Sequence, residues 1–327
     1  MVHSEKITVG VLRGGPSSEY EVSIKSGDTV LKNLHPSKYT VRDILIDKDG
    51  VWHVNGEVKK PEQALRGVDA VFNALHGEYG EDGQVQRVLE HFGVPYTGSG
   101  VFGSALAMNK VLAKRRLITE GIKTPHHTVI RADEGDVPKQ IHNAFRAITF
   151  PVIVKPAALG SSVGISIARD FQGFTDAVGK VLIHSPVVLV EEFVKGREAT
   201  CGVIDNFRDR ETYSLLPVEI RPPAHKDFFD YEAKYTGISQ EICPGNFSPE
   251  EMQEIQKLAI LAHKALGLRH YSRSDFIVTP NRGIYYLETN TLPGLTSESL
   301  LPKSLRAVGT DLPEFLDHVL TCALEGR

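Results

Sequence analysis

The sequence predicts an α/β protein of two or three domains, and three observations support that prediction. The chain has 327 residues, about twice the roughly 150 residues of a usual domain. Hydrophobic residues make up 41% of the chain and charged residues 24%, which is typical of globular proteins and excludes a disordered or fibrous chain. Residues 7–12 are a β-branched run that ends at a Gly-Gly-Pro turn, and helical spacing follows as far as Leu34. An α/β domain opens in this way.

The same pattern continues to about Asn109. Apolar runs predict three further strands, which we expect to be parallel: residues 41–46, 68–75 and 94–96. A helix is predicted over residues 84–92, and an Asp-Gly pair predicts a hairpin within residues 46–58. A long helical pattern spans residues 102–120 and stops at a glycine. Because the character of the segments changes there, we place a domain boundary near Asn109.

The rest of the chain predicts two further α/β sections. The middle section predicts strands at 127–131, 151–155, 164–168 and 187–194, with helices at 136–147 and 170–184. The last section predicts long strands within 198–221, a helix from Ser248 to Leu266 and a hairpin at 274–288. We therefore expect domains at 1–109, 110–197 and 198–327. The long loop at about 221–245 is rich in Pro, Asp, Tyr and Lys, which is typical of an active-site lid.

Charge and cysteine content exclude several classes of protein. The formal net charge of −4 argues against general affinity for nucleic acid or for anionic membrane. The three cysteines are widely spaced, so neither a disulfide framework nor a cysteine zinc site is predicted. The chain shows no signal peptide and no apolar run long enough to span a membrane. We expect a soluble, cytoplasmic protein.

A lysine followed by a Gly-Ser-Ser turn is the first candidate for chemistry. Lys155 ends a buried strand, and the turn at residues 160–164 precedes the next strand. A point charge and several backbone N–H groups at such a turn suit a phosphate. The alternative is an ordinary hairpin whose lysine reaches water at the strand end.

The predicted hairpin at 274–288 is the second candidate. Four polar side chains lie along it and beside it: Arg273, Asp275, Glu288 and Asn290. If the hairpin loop holds an even number of residues, paired positions sum to an odd number and all four project from one face. Carboxylate and amide oxygens are ligands that Mg²⁺ takes when water and substrate phosphates complete its shell. The alternative is a salt-bridged sheet edge.

Two further segments have the form of anion sites. Residues 290–300 pass from a strand end through a Pro-Gly turn to a serine-rich helix start, where exposed N–H groups suit a carboxylate or an oxyanion. Ordinary helix capping is the alternative. Residues 98–103 match G-x-G-x-x-G, but the acidic residue that a dinucleotide site needs falls on the same predicted helix, which disfavours that interpretation.

Six segments together carry a more specific pattern: 14–23, 74–77, 108–110, 152–164, 231–235 and 287–294. The order of these segments and their residues resemble those of the D-alanine:D-alanine ligases of the ATP-grasp superfamily, and the resemblance extends over nearly the whole chain. The resemblance implies a three-domain ATP-grasp fold, α/β (α+β) in class, with a Rossmann-like parallel-sheet domain at the N-terminus. It also implies that ATP and Mg²⁺ lie between the central and C-terminal domains.

The resemblance implies roles for individual residues. The catalytic set that matches the family is Glu19, Ser161, Tyr235, Arg273 and Gly294. Glu19 matches the carboxylate that binds the first D-alanine ammonium, and Arg273 with the Gly294 N–H matches the oxyanion site. The substrate-binding set is Glu19, His76, Lys234, Ser299 and Leu300. In this set Lys234, Ser299 and the Leu300 N–H match the cradle for the second D-alanine carboxylate.

The resemblance also implies a nucleotide and metal set. The ATP-binding residues that match are Lys110, Lys155, Glu191, Glu192, Phe193, Val194, Glu198 and Lys234. Lys110 and Lys155 match phosphate contacts, Glu198 matches a ribose contact, and Glu191 with the backbone of 192–194 is expected at the adenine edge. The metal set is Asp275, Glu288 and Asn290. Two Mg²⁺ ions are implied, with Mn²⁺ able to substitute.

The activity that the resemblance implies is ATP-dependent ligation of two D-alanines through an acyl phosphate, for peptidoglycan precursor synthesis. It further implies a cytoplasmic homodimer that binds neither nucleic acid nor membrane. Tyr235 resembles the lid residue of the D-alanine-preferring type. The alternatives are a D-alanine:D-lactate or D-alanine:D-serine ligase, another ATP-grasp carboxylate-amine ligase, a non-catalytic ATP-binding relative and, more remotely, a NAD-linked oxidoreductase.

Overall fold

Three β-sheets follow one another along the chain in the computed structural model, which describes residues 6–160, 164–221 and 240–326. Helices pack on each sheet, as the α/β prediction requires. The first sheet has five strands, the second four and the third six.

The first sheet has the order β4-β3-β2-β1-β5. Its strands are β1 (Ile7–Gly14), β2 (Tyr39–Ile46), β3 (Trp52–Val54), β4 (Glu57–Lys59) and β5 (Ala70–Asn73). Its helices are α1 (Tyr20–Asn33), α2 (Pro61–Leu65) and α3 (Gln84–His91). β1 pairs with β2 and β5 in parallel, and β2 pairs with β3 antiparallel across the turn that contains the Asp-Gly pair, so the parallel pairing of these strands and the inserted hairpin are confirmed. The strand predicted at 94–96 is reduced to a single parallel bridge between Val71 and Tyr96.

The helical pattern predicted over 102–120 forms two helices, α4 (Val101–Met108) and α5 (Lys110–Thr119). The prediction of one helix was wrong because Asn109 leaves the helical region, with φ −84° and ψ 95°. Its side-chain oxygen accepts a hydrogen bond from the Leu112 N–H at 3.1 Å. An asparagine that caps a helix start in this way interrupts a helix that periodicity alone would continue.

The second sheet has the order β6-β9-β7-β8, and its pairs are antiparallel. Its elements are β6 (His127–Arg131), α6 (Val137–Ala147), β7 (Val152–Pro156), β8 (Ser166–Ala168), α7 (Phe171–Leu182) and β9 (Val187–Glu192). The sequence predicted each of them to within a few residues. Apolar residues of α6 and α7 cover one face of this sheet and form its core.

The third sheet has the order β13-β12-β10-β14-β15, and β11 pairs with β10. Its strands are β10 (Arg197–Phe207), β11 (Arg210–Ser214), β12 (Val218–Arg221), β13 (Gln240–Ile242), β14 (Tyr271–Thr279) and β15 (Gly283–Asn290). The helices that follow or cross it are α8 (Pro249–Ala265), α9 (Leu300–Ala307) and α10 (Leu312–Leu324). Ser248 and Glu251 form a capping box at the start of α8, where the sequence predicted that a helix begins.

The β14–β15 hairpin reaches its predicted register by an unpredicted route. Thr279 pairs with Gly283, so the loop holds three residues and the positions near the turn sum to an even number. A bulge at Leu287 then shifts the ladder, because Phe276 pairs with Tyr286 whereas Asp275 pairs with Glu288. The bulge restores the odd sum beyond it. The assumption of an even loop was therefore wrong, but the predicted pairing of polar residues is confirmed.

Two large apolar cores pack against the third sheet, and one of them joins it to the first. One contains β1 and β5 of the first sheet together with α9, α10 and Tyr271 of β14, so the two ends of the chain share a core. The other packs α5 and α8 on β10, β14 and β15. The domain limits at 109 and 197 stay predictions. Among the described residues, no helix is both long and apolar enough to cross a membrane.

The turn that ends β1 depends on Gly14. Its φ is +88°, and an added Cβ would lie 2.1 Å from the Ile46 backbone oxygen. We predict that Gly14→Ala lowers the free energy of unfolding by more than about 1 kcal/mol, because both the dihedral angle and the close approach oppose a side chain. Chemical denaturation measures this effect. Gly56→Ala is the control, since Gly56 has a φ of +79° but no neighbour within 4 Å. Equal losses in the two variants would contradict the role of the close approach.

Candidate active site

A cleft of about 910 Å³ lies between the second and third sheets, and loops of the first sheet reach one end of it. Strand β7 contributes Lys155 and β9 contributes Glu191 from one side. Strand β14 contributes Asp275 and β15 contributes Glu288 from the other side. Glu19, just before α1, lines the end formed by the first sheet. The structure therefore brings together residues that are far apart in the sequence.

The four polar residues of the hairpin lie together in the cleft, as predicted. Arg273 pairs across the strands with Asn290, and Asp275 pairs with Glu288. The Arg273 guanidinium contacts both oxygens of Asp275, at 3.1 and 3.2 Å. Thr200 of β10, the cross-strand partner of Asp275, donates a hydrogen bond to the same carboxylate. This side of the cleft is a preorganised acidic site with an arginine beside it.

The donors of this acidic site fit Mg²⁺. Asp275 and Glu288 supply carboxylate oxygens and Asn290 supplies an amide oxygen, which is the hard oxygen set that Mg²⁺ takes. Within the described ranges no group of three His, Cys, Asp or Glu side chains forms a metal cage by itself. Two carboxylates and an amide leave coordination positions for water and phosphate oxygens, which is the usual arrangement when Mg²⁺ arrives with a nucleotide.

Lys110 links the two sides of the cleft. It begins α5, and its backbone N–H donates to the Ala157 carbonyl at 2.8 Å. Its ammonium donates to the Leu159 carbonyl at 2.8 Å and lies 3.2 Å from a carboxylate oxygen of Glu288. The charge of Lys110 is thus held at the point where the loop after β7 approaches the acidic site.

A buried carboxylate between two lysines forms the opposite wall. Glu191 Oε2 lies 2.8 Å from Lys155 Nζ, and Glu191 Oε1 lies 2.8 Å from Lys114 Nζ. Burial alone would raise the pKa of Glu191, but the two ammonium groups outweigh it and lower the pKa to about 2. Burial lowers the pKa of Lys114 to about 8, whereas the carboxylates near Lys155 overcome burial and raise its pKa. The cluster carries a net positive charge at neutral pH.

The segment after β9 was expected at an adenine edge, and it does line the cleft. The Glu192 N–H donates to the His126 carbonyl at 2.8 Å, and the Phe193 N–H donates to the Pro151 carbonyl at 3.0 Å. Those two N–H groups are therefore used inside the protein. The Glu192 carboxylate bonds to the His126 N–H and to Arg282. Val194 and Glu198 line the same part of the cleft.

Glu19 lies where two glycines leave room for its carboxylate. An added Cβ on Gly160 would lie 2.2 Å from Glu19 Oε2, and one on Gly77 would lie 2.9 Å from the same oxygen. The Glu19 N–H donates to Ser17 Oγ at 2.9 Å, which helps to fix the start of α1. A carboxylate in this position can receive the ammonium group of an amino acid in the cleft.

His76 is a buried, neutral connector between the first and third sheets. Its Nε2 lies 2.7 Å from Ser26 Oγ, and the ring also bonds to the backbone carbonyl of Leu292. Burial, with the nearby Arg273 charge, lowers the pKa of His76 to about 4. The ring therefore carries no charge at neutral pH. It lines the cleft, as expected for a residue near the substrates.

Glu81 makes the same connection and was missed by the sequence analysis. It accepts hydrogen bonds from the Gly77 N–H at 2.8 Å and the Leu292 N–H at 2.9 Å, and Thr291 Oγ1 lies 3.2 Å away. Burial and the charge of Glu19 raise its pKa to about 7. Its signal in the sequence is an acidic residue in a glycine-rich loop that follows a buried strand.

Lys114 was the second residue missed. It lies four positions after Lys110, and α5 buries it on the same stripe as Val111 and Leu117. A lysine within the apolar stripe of a helix is a detectable signal, because burying its charge is costly unless a carboxylate neutralises it. The partner, Glu191, could not be identified without the tertiary fold.

The predicted anion site at residues 290–300 lies at the wall of the cleft. Ser299 immediately precedes α9, and its hydroxyl is 2.8 Å from Thr296 Oγ1. Leu300 is the first residue of the helix, where backbone N–H groups have no helical partner. A Cβ on Gly294 would approach Ser299 Oγ to 2.9 Å, so the Pro-Gly turn passes close to that hydroxyl. Three predicted residues, Ser161, Lys234 and Tyr235, lie outside the described residues.

The fold and the cleft define a class of enzyme. Two antiparallel sheets enclose lysines on one wall and an acidic, Mg²⁺-compatible site on the other, and a carboxylate and a helix start lie at the ends. This arrangement suits transfer of a phosphoryl group from a nucleotide to a small substrate, because it concentrates positive charge where phosphate charge must be balanced.

Comparisons with known proteins give the family. The family model described as "D-ala D-ala ligase C-terminus" matches residues 117–321, and that described as "D-ala D-ala ligase N-terminus" matches residues 8–65 and 55–99. The D-alanine–D-alanine ligase of Syntrophobacter fumaroxidans is 40% identical over 324 residues, which are 98% of this chain and 99% of that protein. That of Carboxydothermus hydrogenoformans is 38% identical over 322 residues, with coverage of 98% and 99%. The chain belongs to the D-alanine–D-alanine ligase family.

Solved structures agree with this assignment. The VanG D-Ala:D-Ser ligase of Enterococcus faecalis has a TM-score of 0.84 at 30% identity. The match covers 98% of this chain and 99% of that ligase. The D-alanine–D-alanine ligase of Bacillus anthracis, solved with ATP, has a TM-score of 0.81 at 32% identity, with coverage of 99% and 98%. The fold is therefore the ATP-grasp fold, and the protein is an ATP-dependent ligase.

The pKa of His76 generates a prediction about stability. Because the folded pKa of about 4 lies below the ordinary 6.5, unfolding takes up a proton between these pH values. The contribution of a neutral His76 is thus complete above pH 6.5 and is lost as the pH falls toward 4. We predict that the difference in free energy of unfolding between the parent and His76→Gln falls by about 3 kcal/mol from pH 7 to pH 4.

Urea denaturation at several pH values measures this difference. Exposed His184 provides the control, and His184→Gln should leave the pH dependence of the parent unchanged. If the difference in unfolding free energy between the parent and His76→Gln stays constant from pH 7 to pH 4, His76 is not held neutral by burial.

Proposed function

We propose that this chain joins two D-alanines to D-alanyl-D-alanine, with conversion of ATP to ADP and phosphate. One observation carries the proposal: in a chain of this family, Lys110 and Lys155 face the Asp275 and Glu288 pair across a single cleft. Glu19 lies at the end of that cleft, within reach of an amino acid placed beside the phosphates. This arrangement supports a reaction that brings ATP and an amino acid together in one cleft.

The reaction has two steps. In the first, a carboxylate oxygen of one D-alanine attacks the γ-phosphorus of ATP, and the bond from that phosphorus to ADP breaks to give an acyl phosphate. In the second, the amine of the other D-alanine attacks the acyl carbon, inorganic phosphate leaves and the amine loses a proton. Both steps depend on alignment of the reacting groups and on exclusion of water from the acyl phosphate.

Residues of the two walls balance the charge of the phosphates. Lys155 is held by Glu191 on β9, and Lys110 is held by the Leu159 carbonyl, so both ammonium groups have defined positions in the cleft. Asp275, Glu288 and Asn290 would hold Mg²⁺, which supplies further neutralisation of phosphate charge when bound. Because Lys110 already contacts Glu288, nucleotide and metal would share a prearranged ion-pair network.

The acceptor side of the cleft is built for a carboxylate and an oxyanion. The start of α9 offers the Leu300 N–H beside the Ser299 hydroxyl, and this pair suits the carboxylate of the second amino acid. Arg273, which is partly buried and held by Asp275, can donate to the oxygen that gains charge when the amine attacks. The Gly294 backbone passes beside Ser299 and can contribute its N–H to the same oxyanion.

We extend the proposal to cellular context. D-alanyl-D-alanine formation would supply peptidoglycan precursors in the cytoplasm, where ATP is available.

We also propose a homodimer. Phe102 on α4 is 76% exposed, and burial of this aromatic side chain against a second copy would remove apolar surface from water.

The dimer has a direct test. Light scattering after gel filtration should give twice the chain mass for the parent and the chain mass for Phe102→Glu, because the charge would oppose burial of that surface. Lys139→Glu, at an exposed position of α6, is the control and should remain dimeric. A parent that elutes with the mass of one chain at micromolar concentrations would contradict the dimer.

Release of ADP from ATP tests the activity, with the product identified by mass spectrometry. We expect ADP and D-alanyl-D-alanine with D-alanine, no product with L-alanine, and no activity after removal of Mg²⁺ with EDTA. D-Serine and D-lactate are the other acceptors to test with D-alanine, because VanG is a D-Ala:D-Ser ligase. A mixed product in preference to D-alanyl-D-alanine would overturn the proposed acceptor but leave the ligase chemistry intact.

Lys155→Met is the matched variant for this assay. Removal of the ammonium group leaves phosphate charge uncompensated, so we expect a loss of activity of at least about 100-fold. Lys139→Met, a change of the same type at an exposed lysine, should retain parental activity. Equal activity in Lys155→Met and Lys139→Met would refute the phosphate role of Lys155.

A further inference from the structure

Lys114 is a fully buried charge beside the cleft that the proposed reaction does not use. Its side chain is 0% exposed, whereas Lys155 keeps 6% and lines the cleft. Such burial is costly for an ammonium group unless it serves to neutralise another charge. Its position therefore requires an explanation in terms of its neighbours.

The neighbours of Lys114 belong to both walls of the cleft. Its Nζ lies 2.8 Å from Glu191 Oε1 on β9 and donates to the Tyr286 carbonyl on β15 at 3.4 Å. The same ammonium lies 5.6 Å from the centre of the Tyr286 ring. Lys114 thus connects helix α5 with a strand of the second sheet and a strand of the third.

Glu191 connects Lys114 with the nucleotide site. The carboxylate is 2% exposed and has one ammonium group on each oxygen. With both lysines charged, the three groups sum to one positive charge, which Lys155 carries at the cleft surface. Without Lys114, Glu191 would be neutralised by Lys155 alone, and the ion pair would leave no net charge for a phosphate.

We propose that Lys114 is a positioning residue for nucleotide binding: it neutralises Glu191, so that the charge of Lys155 remains available to phosphate oxygens. The inference rests on the proposed function only in so far as ATP binds in this cleft. Lys114 does not line the cleft described here, so it would act through Glu191 and Lys155. An ordinary stabilising ion pair is the competing explanation, and it makes a different prediction.

A double-mutant cycle distinguishes the two explanations. The variants are Lys114→Met, Glu191→Gln and the double variant, with Arg115→Met as control, since Arg115 is the exposed neighbour on the same helix. The ADP affinity of each purified protein is measured by isothermal titration calorimetry with Mg²⁺, and the KM for ATP and kcat are measured separately. Thermal unfolding reports stability.

We expect Lys114→Met to weaken ADP binding and to raise the KM for ATP by about ten-fold, within the range of coupling between contacting residues. In the Glu191→Gln background the same change should cost less than two-fold, because there is no carboxylate left to neutralise. Arg115→Met should bind ADP like the parent. Lys114→Gln provides a second neutral variant for the same cycle if Lys114→Met does not fold.

Two results would overturn the inference. The first is a Lys114→Met variant that unfolds at a lower temperature but binds ADP with parental affinity, since this is the behaviour of a purely structural ion pair. The second is a double variant whose loss of ADP affinity equals the product of the losses in Lys114→Met and Glu191→Gln, because the two residues would then act independently. Failure of the part of the proposed function on which the inference rests, ATP binding in this cleft, is visible in the same data as a parent protein that binds no ADP.

Discussion

The pairing of β14 with β15 is the constraint on which the rest of the site depends. The bulge at Leu287 lets Glu288 face Asp275 although the loop has an odd length. Once this register is set, Thr200 of β10 meets Asp275 and Lys110 of α5 meets Glu288. A one-residue slip would move these carboxylates to the opposite face of the sheet, where α8 packs. The acidic wall therefore exists because an apolar face fixes the register.

Charge balance shapes the opposite wall. A buried carboxylate would ordinarily be protonated, yet Glu191 is held ionised by the ammonium groups of Lys114 and Lys155. One of these lysines is fully buried and the other lines the cleft. The Glu191 carboxylate therefore fixes the position of the Lys155 ammonium at the cleft and offsets part of the free energy that burial of this charge costs. This is the electrostatic preorganisation that a phosphate site requires.

Loops of the first sheet complete the cleft by holding the turn that follows β15. Ser26, His76 and Glu81 are buried polar residues whose hydrogen bonds reach residues 291–295 of the third section. The apolar core that β1, β5 and α10 share also contains Leu292 and Leu295 of this turn, so it packs against the same segment. Glu19 follows β1 in the chain and lines the end of the cleft that these loops form. The contacts that pack the first section of the chain against the third therefore also shape this end of the cleft.

The sequence by itself determined most elements, the parallel pairing of β1 with its neighbours and many of the residues that line the cleft, because periodicity, turn residues and ordered motifs are local properties. It also placed Arg273, Asp275, Glu288 and Asn290 on one face, although through an incorrect loop length. Only the tertiary structure divided the helix at Asn109 and paired Lys114 with Glu191, which lie 77 positions apart in the chain. The capping asparagine bonds to the Leu112 N–H of its own helix, whereas the buried Lys114 has a local signal but a partner that tertiary packing chooses. Pairing between residues far apart in the chain depends on which strands and helices pack together, and a local sequence pattern does not specify this packing.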